Sequence, residues 1–129
     1  MKTVLIKTDG TIQPVPVGTM RGYEEFRRIT AQEWAEFVYS HEKGIIVVCD
    51  ECGLLKGLEL NVMASYLYGT HMHGNPIVGN VILMQPVMTS DGPDFAFFDD
   101  EEIPALVERL KGIASKIRYK FNFKEEETK

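Results

Sequence analysis

The chain has 129 residues, 44% of them apolar and 26% charged, and its 19 acids outnumber its 14 bases to give a formal net charge of −5. That composition fits one globular domain with its own core and excludes a disordered body. The acidic balance argues against a general nucleic-acid binder, which needs a basic face to displace phosphate counterions. No apolar run approaches the ~18 residues of a membrane span, so neither a nucleic-acid nor a membrane partner is expected. The apolar stretch Val4–Ile6 is far shorter than the roughly 7–15 residues of a secretory signal core. With two cysteines in all, a cytoplasmic compartment is expected.

Thr3 to Thr8 reads as a strand closed by the turn dipeptide Asp9-Gly10. Thr11 to Val17 resumes extended structure, with Pro14 and Pro16 marking an edge or irregular strand. Residues 18–29 carry no clear period. Thr30-Ala31-Gln32-Glu33 has the spacing of a capping box, and Trp34, Phe37 and Val38 follow at helical spacing. A helix over Thr30–Ser40 is therefore expected, with His41 in its last turn and Gly44 ending it. Ile45–Cys49 is an unbroken apolar run of strand length, expected to be central and covered on both faces. Asp50 to Gly57 is a turn and its exit. Asn61 is placed to cap a short helix, Val62 to Leu67, that ends at Gly69, and Thr70 to Asn75 reads as loop. Ile77 to Met84 is a strand interrupted by Gly79, Thr89 to Asp94 a loop and Phe95 to Phe98 a short strand. Asp99 or Asp100 then caps the clearest helix, in which Ile103, Leu106, Val107, Leu110, Ile113, Ala114 and Ile117 keep the 3.6-residue period. Tyr119, Phe121 and Phe123 alternate, so 117–123 either continues that helix or forms a last strand. Residues 124–129 read as a frayed tail behind a single domain, 1–123.

The fold class expected is α+β: a mixed or antiparallel sheet of four to five strands with two main helices and one short one.

Two clusters carry candidate chemistry. Cys49-Asp50-Glu51-Cys52-Gly53 is a C-x-x-C-G turn after a strand, and His71-Met72-His73 lies downstream. Cys49, Cys52, His71 and His73 would make a sufficient tetrahedral zinc shell, although H-x-H is not the usual finger spacing. The simpler reading leaves Cys49 in the core, Cys52 in a turn, the histidines in a loop, and no cofactor. A redox reading of the same cysteines needs a helix N-terminus after Cys49, and Gly53 to Gly57 is poor helix material. The second cluster is Asp50, Glu51, Lys56 and Asn61, the densest polar group beside an apolar strand. It would bind a small ligand or a partner, serve as the site of an enzyme, or only stabilise its own turn. No nucleophile elbow, zincin or Walker-type motif occurs, so no known catalytic template points to an enzyme.

The stretch Ile46–Asn61, VVCDECGLLKGLELN behind its first isoleucine, followed by GNPIVGNV at 74–81, resembles a small family of unknown function widespread in bacteriophages, conjugative elements and Gram-positive bacteria. In that family a hydrophobic strand runs into an Asn/Asp-Glu-x-Gly turn, then a Leu-Lys-Gly-Leu-x-x-Asn segment, then an Ile-x-Gly strand, and the resemblance covers roughly residues 2–110. Asp50, Glu51, Gly53, Lys56, Gly57, Asn61 and Gly79 match the motif. Cys52, His71 and His73 fall where the family varies. The resemblance implies an accessory protein of mobile-element origin and no known activity; together with the acidic charge and the absent motifs it points to a non-catalytic interaction module with a protein partner. The motif also reads as plain geometry: Gly53 and Gly57 permit positive φ, Asn61 caps a helix, and Gly79 lets another backbone approach.

Overall fold

The computed structural model describes residues 1–126. Seven strands form one sheet: β1 (Lys2–Ile6), β2 (Thr11–Pro16), β3 (Ala35–Tyr39), β4 (Ile46–Asp50), β5 (Val81–Thr89), β6 (Gly92–Ala96) and β7 (Asn122–Phe123). Their spatial order is β3-β4-β5-β1-β2-β7, with β6 paired to the outer half of β5. All pairs are antiparallel except β2 with β7, so the sheet is mixed. The helices are α1 (Gly22–Thr30), α2 (Val62–Tyr68), the single turn α3 (Thr70–His73) and α4 (Ile103–Ala114), the last preceded by a 3₁₀ turn at Asp100–Glu102.

The α+β class stands, but the sheet has seven strands where four to five were expected. The extra strands are β3 and the short β7, whose pairing with β2 joins Thr11 to Asn122 across most of the chain.

The apolar run of β4 is continuous because both faces of the sheet are covered. Val47 and Cys49 point to one face, with Val4, Ile6 and Leu83, where Met63, Ala64 and Leu67 of α2 and Leu106, Leu110 and Ile113 of α4 pack. Ile46 and Val48 point to the other, with Leu5, Ile82 and Met84, under Phe26 of α1. The result is three layers, with two helices on one face and α1 on the other.

The helix expected over Thr30–Ser40 is absent, and this is the main correction. Thr30 ends α1 instead of starting a helix. Its hydroxyl donates to Phe26 O at 2.7 Å and accepts from Gln32 N–H. Ala31 then takes φ 59°, a left-handed stop. Ala35 to Tyr39 is strand β3, registered residue for residue against β4. The aromatic and β-branched Phe37, Val38 and Tyr39 suit a pleated surface, and the ready-made edge of β4 overrides the helical spacing. Gly44, at φ 84°, lies in the β3–β4 turn together with His41.

Smaller differences follow. Strand β5 begins at Val81 and runs on to Thr89, and β6 occupies Gly92–Ala96, so most of the expected Thr89–Asp94 loop is strand and the short strand ends before Phe97. The Thr70–Asn75 loop contains α3. The C-terminal helix stops at Ala114, and Ile117 packs on the core beyond it. In the tail, Lys124 N–H donates to Ile12 O and Lys2 pairs with Glu126, while residues 127–129 lie outside the described residues.

Candidate functional site

The turn 51–57 leaves β4 at its last residue, Asp50. The Asp50 side chain is fully buried. Its Oδ1 accepts from Cys52 N–H at 2.8 Å, and its Oδ2 holds the Lys56 ammonium at 2.6 Å. One carboxylate thus clamps both ends of the turn, as Asp does in Asx-type turns. The hydrogen bond to Asp50 raises the Lys56 ammonium above its ordinary value of 10.5, outweighing the opposing effect of desolvation, and the Asp50 charge adds to the rise. Glu51 is exposed and gives only its backbone N–H, to Trp34 O.

Asn61 is fully buried and wholly occupied within the fold. Its Oδ1 caps α2 by accepting from Ala64 N–H, and its amide nitrogen donates to Ile6 O and Gly79 O, both at 2.9 Å. It ties helix α2, strand β1 and the entrance to β5 together. The structure therefore brings Asp50 and Lys56 into contact, leaves Glu51 at the surface and turns Asn61 inward.

The glycines of the motif divide by role. Gly57 has φ 70°, as the turn requires. Gly53 has no positive φ, contrary to expectation. A Cβ there would meet Val78 Cγ2 at 2.6 Å, so close packing, not backbone conformation, calls for glycine. Gly79 combines both demands. Its φ is 82°, and a Cβ would meet Gln32 Oε1 at 2.6 Å and Leu58 Cδ1 at 2.8 Å. Gln32 is itself fixed, donating to Asn80 O and accepting from Asn80 N–H. Gly79→Ala should cost about 1–3 kcal/mol from left-handed strain and crowding together. A thermal melt unchanged from wild type would show that the loop yields freely.

Cys49 and Cys52 are both free thiols. Burial, with Glu36 and Asp50 adding to it, pushes the Cys49 thiol up to about 12, which makes it a poor nucleophile and a poor thiolate donor. The His71 ring stacks on Tyr66 at 4.5 Å. His73 engages both ring nitrogens locally: Nδ1 accepts from Asn75 N–H, and Nε2–H donates to Tyr68 O. Among the described residues, no three His, Cys, Asp or Glu side chains are placed to share a metal ion.

Beside the turn lies a hollow of about 250 Å³ lined by Thr8, Gln32, Leu58, Glu59 and Asn80 with two glycines. It is smaller than the ~300 Å³ at which ligand pockets begin. It contains none of Asp50, Glu51, Lys56 and Asn61.

Residues 1–111 match the family model for a domain of unknown function, DUF3846. The chain belongs to the DUF3846 family. No curated protein matches it, and no solved structure matches it. The family match ends inside α4, so the last turn of that helix and β7 lie beyond it. Among the described residues no helix is long and apolar enough to cross a membrane.

Sequence reasoning passed over two adjacent leucines that this DUF3846 domain leaves in solvent. Leu54 is 67% exposed and Leu55 92% exposed, at the tip of the clamped turn. Their only signal was two adjacent leucines in a glycine-bounded turn, with no periodic neighbours to bury them.

Proposed function

We propose that the protein is a non-catalytic interaction module, an accessory protein of phage or mobile-element type, that docks a protein partner through the turn 51–57. The observation that carries this reading is the pairing of a rigid base with an exposed apolar tip. Asp50 and Lys56 neutralise each other beneath the turn, while Leu54 and Leu55 stand in solvent. A preorganised apolar tip loses little entropy on docking. Exposed acids at Glu33, Glu51 and Glu59 accompany it, so the complementary partner is a protein with an apolar recess rimmed by Lys or Arg.

A small-ligand or enzymatic reading of the same turn is supported less well, because Asp50 and Lys56 already bond each other and Asn61 is occupied by the backbone, which leaves only the exposed Glu51 carboxylate. The test is a binary interaction screen against proteins encoded beside the gene and against host proteins. It is then repeated with Leu54→Ser and Leu55→Ser together. Loss of the partner by about tenfold or more in affinity, with the fold intact, is expected for residues at a docking centre. Retention of every partner by the double variant would remove this surface from consideration.

A further inference from the structure

On the face of the sheet that carries α1, a cleft of about 570 Å³ opens between the first turn of that helix and strands β3, β5 and β6. It shares no residue with the turn 51–57, and its volume lies within the roughly 300–1,000 Å³ of small-molecule sites. Its floor is aromatic. Phe37 and Phe95 stack with ring centroids 5.5 Å apart and planes 15° from parallel, and Met84 lies with them in the lining. Gly22 lets α1 sit directly against this floor, since a Cβ there would meet Met84 Sδ at 2.5 Å and Phe37 Cε2 at 2.9 Å.

The rim is charged with both signs. Arg27 lies over the Tyr23 ring at 5.5 Å. Arg21 holds Glu24 only loosely, at 3.8 Å between exposed side chains, a contact worth little in water and therefore easily exchanged for a ligand. Asp94 uses Oδ1 to accept from Phe95 N–H, which leaves its other oxygen toward solvent. The lip leading into α1 is fixed from behind: buried Glu25 accepts from both the N–H and the hydroxyl of Thr19.

Each part of the lining selects a chemical feature. Aromatic faces take a planar ring. Guanidinium groups take an oxyanion. Carboxylates beside them disfavour a bare anion and suit a ligand that also offers hydroxyl or amino donors. A nucleotide combines all three. We propose that this cleft binds a purine nucleotide, with its base on the Phe37–Phe95 floor, its phosphates on Arg21 and Arg27, and its sugar hydroxyls toward Glu24 or Asp94.

The test is calorimetry at low salt with ATP, GTP and AMP, and with adenosine and inorganic tripolyphosphate as half-ligands. Saturable one-site binding of at least one nucleotide is expected, tighter than either half-ligand. Loss of a stacking face in Phe95→Ala and of a charge-assisted contact in Arg27→Gln should each weaken it about tenfold. Arg27 is exposed, so its variant keeps the fold, and circular dichroism checks both. The proposal is overturned by absence of saturable binding for all three nucleotides, by tripolyphosphate binding as tightly as ATP, or by unchanged affinity in both variants.

Discussion

Asn61→Ala is expected to lower the free energy of unfolding by about 3–7 kcal/mol: about 1 for the lost helix cap and about 1–3 for each of two buried carbonyls that lose this partner. The side chain is fully buried, and all three of its hydrogen bonds run to backbone, at Ala64, Ile6 and Gly79. Ile6 ends β1, and Gly79 precedes β5, so the loss is felt where two central strands meet α2. Against a total stability of roughly 5–15 kcal/mol for a domain, that is a large fraction. Urea denaturation measures it, with the slope expected to stay constant and the midpoint to fall. Asn61→Ser separates the contributions, since a hydroxyl restores the cap but reaches neither carbonyl. A serine variant as stable as wild type would mean that the two carbonyl bonds contribute nothing.

The same residue shows what was legible in the sequence. Asn61 before Val62 reads as a helix cap from local chemistry alone, and the structure has that cap. The two bonds to Ile6 and Gly79 were not legible, because they depend on which strand ends meet, 55 and 18 residues away along the chain. Likewise β4 is legible as a five-residue apolar run, and α4 as a long periodic one.

Residues 22–29 show no clear period in the sequence, and 30–40 reads as helix where the structure has a strand because the signals conflict. Helix α1 starts without a side-chain cap at Arg21, and only Tyr23, Phe26 and Ile29 mark its apolar side. The capping-box spacing at Thr30 goes unused: its hydroxyl bonds Phe26 O and Gln32 N–H at the end of that helix, and no Thr30–Glu33 bond forms among the described residues. Strand β3 owes its conformation to β4 beside it, a neighbour that local pattern does not encode.

The candidate sites divide on the same principle. Asp50, Lys56, Gly57 and Asn61 lie within a dozen residues, so they were visible as one motif; Asp50 and Lys56 bond each other across the turn, while Asn61 bonds α2, β1 and the entrance to β5. The cleft beneath α1 gathers Tyr23, Phe37, Met84 and Phe95 from four separate elements. No spacing rule joins them, and Phe37 had been assigned to a helix that does not form. A surface assembled by long-range pairing leaves only isolated aromatics in the sequence, each of which reads as core.

Glu25→Gln should destabilise the protein by about 1–3 kcal/mol at neutral pH, the range for losing hydrogen bonds between charged groups, and the deficit should shrink in acid. Glu25 is 3% exposed. Its carboxylate accepts from Arg28 Nε at 2.9 Å and Nη2 at 2.5 Å, and from Thr19 N–H and Oγ–H at 3.1 and 3.0 Å. Burial by itself would raise this carboxyl, but the hydrogen bonds from Arg28 and Thr19, with the Arg28 charge, outweigh it and hold it below its ordinary value of 4.5. A carboxyl depressed in the folded state stabilises that state fully above its unfolded pKa and loses the contribution as pH falls through its folded pKa. The wild-type advantage should therefore be constant from neutral pH down to about 5, then decline below the ordinary carboxyl range. Glutamine cannot titrate, and its amide nitrogen faces the Arg28 guanidinium without accepting from it. Every other carboxylate is common to the two proteins, so the difference between their stability curves isolates Glu25. Urea midpoints measured across pH 3–7 decide it: curves that stay parallel through the acid limb would show that the carboxylate charge contributes nothing to holding the lip of α1.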